Sequence, residues 1–300
     1  MKTVTTPREV RETIDQAKSA GSRVGFVPTM GALHEGHASL IRLARARTGY
    51  VVASIFVNPR QFGPKEDITR YPRTYEPDRR ILEDLGCDLL FHPGAADLYS
   101  PADRTRVSVE GLSDILCGAS RVGHFQGVAL VVAKLFNIVR PDEAYFGQKD
   151  AQQAVVIQRM AADLDFPVSI MLGATVREAD GLAMSSRNAY LDAASRAKAP
   201  AIYRSLCAAR ERIEAGERDP APLTAMMARS MREAGIDVEY AAIVDGGTLG
   251  ALERIEGIVL VACAGRIAGT RLIDNVALRV FGAAVEETIL EFPEWSRYAR

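Results

Sequence analysis

Two histidines, His34 and His37, flank Glu35 and Gly36 where a glycine-bearing turn enters a helical pattern with Leu40, Ile41 and Ala44 on one side. A helix N-terminus offers unpaired backbone N–H groups and a partial positive charge, and two imidazoles add hydrogen-bond donors. The chemistry suggested is phosphate handling. Gly31 and Gly36 let the backbone bend or approach a ligand. The same residues also suit ordinary loop and cap duties, and HxGH alone does not separate the two readings. A second set is Gly147-Gln148-Lys149-Asp150, where a cation beside a helix start makes another anion site. Asp150 suits an N-cap and Gln153 the capping-box position, duties that can coexist with binding. A third set, Met184-Ser185-Ser186-Arg187-Asn188, joins two hydroxyls to a guanidinium and suits phosphate oxygens. His124 reads as a satisfied structural histidine.

These sets need elements to hold them. Thr6, Pro7 and Glu9 mark a helix start, closed by Gly21. Residues 24–27 form a short apolar strand that stops at Pro28 and feeds the histidines. Residues 50–57 read as a buried parallel strand. A polar loop over 58–74 follows, with three prolines, four basic residues, Gln61 and Tyr71. A loop this long binds something or is mobile; it leaves the carboxyl end of a strand, where ligands sit in open α/β sheets. A helix over 75–85, a strand over 88–91, a weaker strand over 106–109, a helix over 128–139 and a strand over 143–146 come next. A helix through Met160 and a strand over 167–172 complete an alternating strand–helix pattern, which predicts α/β architecture with a doubly wound parallel sheet. The character changes near Val176. Helices over 193–215 and 221–234, then strands over 238–244, 258–264 and 271–273, predict a smaller α+β domain from about residue 185.

Length and composition fit this division. Three hundred residues suit one large domain or two ordinary ones, and 48% hydrophobic with 25% charged residues is the balance of a soluble globular protein. A formal net charge of −1 gives no global field for nucleic acid. Cys87, Cys117, Cys207 and Cys263 lie far apart and read as small buried hydrophobes. No apolar run reaches a membrane span and the N-terminal stretch has no apolar h-region, so a cytoplasmic enzyme with no membrane or nucleic-acid partner is the expectation.

Four separated segments together resemble the pantoate–β-alanine ligase family: FVPTMGALHEGHASLI, SIFVNPRQFGPKEDITRYPRT, GHFQGVALVVAKLFNIVRPDEAYFGQKDAQQ and READGLAMSSRNAYL. HxGH alone marks only a wider nucleotidyltransferase superfamily; the other segments make the match specific. The resemblance runs to about Asn275. It implies a Rossmann-like ATP- and pantoate-binding domain over 1–176 and a small C-terminal domain over 185–300 that closes the site. It implies ATP with Mg²⁺, a homodimer, and condensation of (R)-pantoate with β-alanine through pantoyl adenylate, releasing pyrophosphate and AMP.

By similarity, His37, His34, Lys149 and Arg187 are the catalytic group. The ATP site gathers Met30, His34, His37, Gly147, Gln148, Lys149, Asp150, Val176, Met184, Ser185, Ser186 and Arg187. Gln61 and Gln153 take pantoate, Gln61 also meets β-alanine, and Asn58, Tyr71 and Arg121 stand behind them. An amide suits pantoate because it both donates and accepts. No dense Asp/Glu cluster suggests a protein-made metal cage, so Mg²⁺ is expected to ride on the phosphates. Val122 replaces the proline usual in the family's RPGHF segment. The chain also runs past about 275, where relatives usually end soon; Val280, Phe281, Ile289 and Leu290 suggest that this tail packs, as a helix. Another HxGH nucleotidyltransferase, and an ATP-binding protein without chemistry, are the alternatives.

Overall fold

The structure is a computed structural model that describes residues 1–64 and 66–290. Backbone contacts divide it into two compact units. Residues 1–147 and 153–173 form the first; residues 148–152 and 174–290 form the second. The short stretch that carries Lys149 therefore groups with the second unit, although it follows directly on a strand of the first.

The first unit alternates strand and helix: β1 (Lys2–Val4), α1 (Pro7–Ser19), β2 (Val24–Thr29), α2 (Glu35–Arg47), β3 (Tyr50–Ile55), α3 (Tyr75–Asp84), β4 (Leu89–Phe91), α4 (Ala95–Leu98), α5 (Cys117–Ser120), α6 (His124–Val139), β5 (Glu143–Gly147), α7 (Ala151–Asp163) and β6 (Ser169–Gly173). The strands make one parallel sheet in the order β1-β4-β3-β2-β5-β6. From β2 the chain winds outward through β3 and β4, then returns to pair β5 on the other side of β2. That reversal opens a crevice at the carboxyl ends of β2 and β5, the ligand position of a doubly wound sheet.

Local signals set these elements. Thr6 and Glu9 form a reciprocal capping box at α1, with Pro7 in its first turn. The stripe Leu40, Ile41 and Ala44 on α2 packs over Val27, Val51, Ala53 and Tyr145 of the sheet. Burying each Leu or Ile contributes about 1.5–3 kcal/mol, which anchors the helix whose first turn carries the histidines. Two details differ from the sequence reading. Residues 106–109 are irregular, not a strand; the place beside β4 is taken by β1. α6 begins at His124, four residues earlier than its apolar run.

The second unit contains α8 (Ala193–Lys198), α9 (Ala201–Glu214) and α10 (Pro220–Glu233), then β7 (Asp237–Asp245), β8 (Gly257–Ile267), β9 (Thr270–Phe281) and β10 (Ala284–Thr288). Its antiparallel sheet runs β10-β9-β8-β7. Ile202, Leu206, Ile213, Met227 and Met231 from the helices share a core with Val259, Val261, Cys263, Val276 and Leu278. Pro200 divides the first expected helix into α8 and α9, since its ring removes an N–H from the ladder. The tail after 275 is a strand hairpin up to Thr288, not a helix: Val280 lies in β9, and β10 pairs back from Ala284 opposite Phe281. Residues 291–300, with Trp295, lie outside the described residues. Cys87, Cys117 and Cys263 are buried, whereas Cys207 is half-buried. No helix among the described residues is long and apolar enough to cross a membrane.

Candidate active site

In the first unit the histidines sit where β2 ends. His34 is the N-cap of α2; its Nδ1 accepts from Gly36 N–H at 3.1 Å, and His37 Nδ1 accepts from His34 N–H at 3.3 Å. Each ring thus uses Nδ1 as an acceptor. A neutral imidazole has one acceptor and one donor nitrogen, so both rings carry their proton on Nε2. The ring centroids are 4.2 Å apart. The cap therefore fixes the tautomer, which puts the proton of each ring on Nε2. Gly36 is required by this packing, because a Cβ there would lie 2.9 Å from His34 Cε1 and 3.0 Å from its Nδ1.

The turn before the histidines is held from α3. Asp78, 2% exposed, accepts from Ala32 N–H and Leu33 N–H, each at 2.8 Å, and from the Thr74 hydroxyl at 3.2 Å. Ala32 has φ of 51°, a left-handed conformation that an alanine holds only when its surroundings impose it. Asp78 supplies that constraint and was not singled out from the sequence; an acidic residue in a helix's first turn carries no mark distinguishing it from a capping charge. Asp78 also lines a cavity of about 330 Å³ with Met30, Tyr75 and His92.

Gln61 is buried in the 58–74 loop. Its Oε1 accepts from Asn58 Nδ2 at 3.0 Å and its Nε2 donates to the Met30 sulfur at 2.9 Å. Asn58 in turn donates to Gly127 O and accepts from the Tyr99 hydroxyl at 2.9 Å. Burial pushes the Tyr99 hydroxyl up to about 12, so it remains a donor. Met30 and Gln61 are thus in contact, and Asn58 orients the amide. The loop is pinned further along, where Arg121 makes paired bonds of 2.7 Å to the Glu66 carboxylate. Arg121 also meets His124 Nε2 at 2.9 Å, while His124 Nδ1 donates to Gln61 O at 2.8 Å. His124 is the structural histidine expected. Burial alone would raise Glu66, but the Arg121 guanidinium outweighs it and holds the carboxyl at about 2. Val122 is 90% exposed, so the departure from proline leaves the Arg121 and His124 contacts in place. Tyr71 is buried against Phe62. Gly147 ends β5, and Gln153 lies in the first turn of α7, partly buried.

In the second unit Val176 and Met184 face each other across a short hairpin, with Met184 N–H donating to Val176 O at 2.9 Å. Ser185 caps the following turn, Ser186–Tyr190, through its hydroxyl and Arg187 N–H. Arg187 is thereby placed one turn after the hairpin. The Arg177 guanidinium meets the buried Asp274 carboxylate at 2.6 and 3.1 Å and stacks on Tyr203 at 3.7 Å, which ties the hairpin to β9. The next residue, Asn275, donates from one Nδ2 to Gln148 O at 3.0 Å and Lys149 O at 2.9 Å. Two adjacent residues of β9 thus join the Val176–Arg187 segment to the Lys149 segment. Lys149 Nζ lies 4.0 Å from the Asp150 carboxylate. The sequence named the cation and hydroxyls but not Arg177, Asp274 or Asn275 as their supports. Gln148, expected at ATP, is 5% exposed, and its side chain is engaged with the chain after β9.

A family model for pantoate-beta-alanine ligase matches residues 2–277. The chain belongs to the pantoate–β-alanine ligase family. Within that family, this ligase chain is 51% identical to the pantothenate synthetase of Moorella thermoacetica over 283 residues, covering 93% of this chain and 99% of that one. It is 50% identical to that of Ectopseudomonas mendocina, covering 94% and 100%. The crystal structure of pantothenate synthetase from Thermus thermophilus superposes with a TM-score of 0.87 at 48% identity, covering 92% and 98%. The pantoate-beta-alanine ligase from Francisella tularensis, complexed with beta-gamma ATP and beta-alanine, superposes with a TM-score of 0.78 at 32% identity, covering 92% and 97%.

Proposed function

We propose that the ATP-dependent ligation of pantoate to β-alanine, the activity of this family, runs here through pantoyl adenylate. A carboxylate resists attack by an amine until one oxygen becomes a good leaving group, and adenylation achieves that. In the first step an oxygen of (R)-pantoate forms a bond to the α-phosphorus of ATP, and pyrophosphate leaves with the phosphorus–oxygen bond electrons. In the second, the neutral amine of β-alanine attacks the acyl carbon, loses a proton, and AMP departs.

The observation that carries this reading is the reciprocal cap of His34 and His37. It sets two neutral Nε2–H donors side by side at the carboxyl end of β2, where negative charge accumulates on phosphate oxygens. Lys149, Ser185, Ser186 and Arg187 carry further cations and hydroxyls suited to the phosphates of ATP. Met30 and Gly147 meet the nucleotide, Asp150 the ribose, and Val176 and Met184 the adenine side. Gln61 and Gln153 bind pantoate, and Gln61 also meets β-alanine. Among the described residues no three His, Cys, Asp or Glu side chains gather into a metal cage. Mg²⁺ belongs to the substrate, as MgATP, and keeps several waters. The ligase acts as a cytoplasmic homodimer, which light scattering tests directly.

Exchange of labelled pyrophosphate into ATP, with Mg²⁺ present and β-alanine absent, tests the step order. Exchange that requires (R)-pantoate, followed by AMP release on adding β-alanine, supports it. A folded, ATP-binding protein without pantoate-dependent exchange refutes it.

A further inference from the structure

The family model ends at residue 277, within β9. The chain beyond it turns and returns as β10, paired from Ala284↔Phe281 to Thr288↔Ala277. Two backbone groups after that turn close on one buried side chain. Leu290 N–H donates to Gln148 Oε1 at 2.8 Å, and Gln148 Nε2 donates to Thr288 O at 3.4 Å. Gln148 is the residue before Lys149, and Asn275 holds the carbonyls of both. The 148–150 turn is thus gripped by its backbone from β9 and by its side chain from the segment after β10.

That segment is itself fastened. Glu287 pairs with Arg210 of α9 at 2.6 Å. Leu290 is 3% exposed and lies against Gly246, where a Cβ would come 2.9 Å from Leu290 Cδ2. The C=O of Thr288 at the end of β10 and the N–H of Leu290, whose side chain is buried, cannot swing away as a side-chain partner can, so they fix the amide's rotamer. Without this segment the Gln148 side chain would lose both of these partners.

We infer that residues 284–290 are a strap that positions the 148–150 turn, and with it Lys149, for adenylation. Through its side chain Gln148 is accordingly a positioning residue. This rests on the role proposed above for Lys149. The strap is built from residues beyond the matched family segment, so it is a feature this chain adds to a shared site.

Leu290→Pro removes the N–H donor while keeping an apolar side chain; Leu290→Ala keeps the donor and trims the packing. In the full chain, hydrogen exchange at the 148–150 amides is expected to accelerate in Leu290→Pro and not in Leu290→Ala. Pantoate-dependent pyrophosphate exchange should fall in kcat by on the order of 10–10²-fold in Leu290→Pro, with KM for pantoate unchanged, since small misplacements of a reacting group cost that much. Gln148→Ala should match it, and adding Leu290→Pro to Gln148→Ala should change nothing further. Equal amide exchange in Leu290→Pro and the parent protein overturns the strap. Faster amide exchange with unchanged pyrophosphate exchange leaves the contact intact and overturns its bearing on adenylation. A parallel Lys149→Ala variant with normal pyrophosphate exchange overturns the role of Lys149 instead.

Discussion

Replacing Gly36 by alanine should separate activity from stability. The added Cβ would stand 2.9 and 3.0 Å from His34 Cε1 and Nδ1, closer than carbon atoms tolerate. The obstructed group is a side chain, so the ring swings away and the backbone stays. Two consequences for stability oppose each other. Losing the His34 cap costs about 0.5–2 kcal/mol. Exchanging glycine for alanine inside a helix gains up to about 1 kcal/mol. The net is within about 1 kcal/mol, a Tm change of about 2–4 °C or less for a domain near this size. The chemical step fares differently, because the displaced ring takes one phosphate donor with it. Removing one preorganised donor costs on the order of 10²–10³ in kcat. The assay is pantoate-dependent pyrophosphate exchange beside thermal melting. His34→Ala and the double variant complete a cycle. If Gly36 acts through His34, the double variant is no slower than His34→Ala alone. Additive losses, or wild-type exchange in Gly36→Ala, would refute the reasoning.

Three further outcomes follow from contacts elsewhere. Asp78→Asn leaves one acceptor where Ala32 and Leu33 N–H now share two oxygens, so stability should fall by about 1–3 kcal/mol, read as a urea midpoint, with kcat reduced more than KM. Asp274→Asn strands the Arg177 charge beside a buried partner, and breaking such a pair costs about 3–5 kcal/mol; the melting temperature should drop, and Arg177→Met added to Asp274→Asn should recover part of it. Burial raises the Glu66 carboxyl, but Arg121 outweighs burial and holds it below its ordinary value of 4.5, at about 2. A lowered folded pKa contributes stability above the unfolded value, and that stability is lost as pH falls through the folded one. The urea-midpoint advantage of the parent protein over Glu66→Gln should therefore be full above pH 4.5 and vanish towards about 2; an advantage that grows in acid would contradict the assignment.

The sequence by itself determined the elements and the reactive groups. The β2 run ending at Pro28, the stripe Leu40-Ile41-Ala44 and the Thr6-Pro7-Glu9 cap are local signals, because strand and helix periods and caps involve residues close in sequence. His34, His37, Lys149, Ser185 and Arg187 could be named as candidates because few residue types can serve phosphate chemistry. Tertiary structure alone decided how those groups are held. Asp78 is more than forty residues from the turn it grips, Glu66 is fifty-five from Arg121, and Asn275 is over a hundred from Lys149. Each of these supports is an ordinary polar residue in its own segment. It acquires a role only when folding buries it beside a backbone or charge that would otherwise lack a partner. The same holds for the tail: of the apolar residues that suggested packing, Val280 and Leu290 are buried while Phe281 and Ile289 are exposed, and only the pairing of β10 on β9 brings the segment that follows to Gln148.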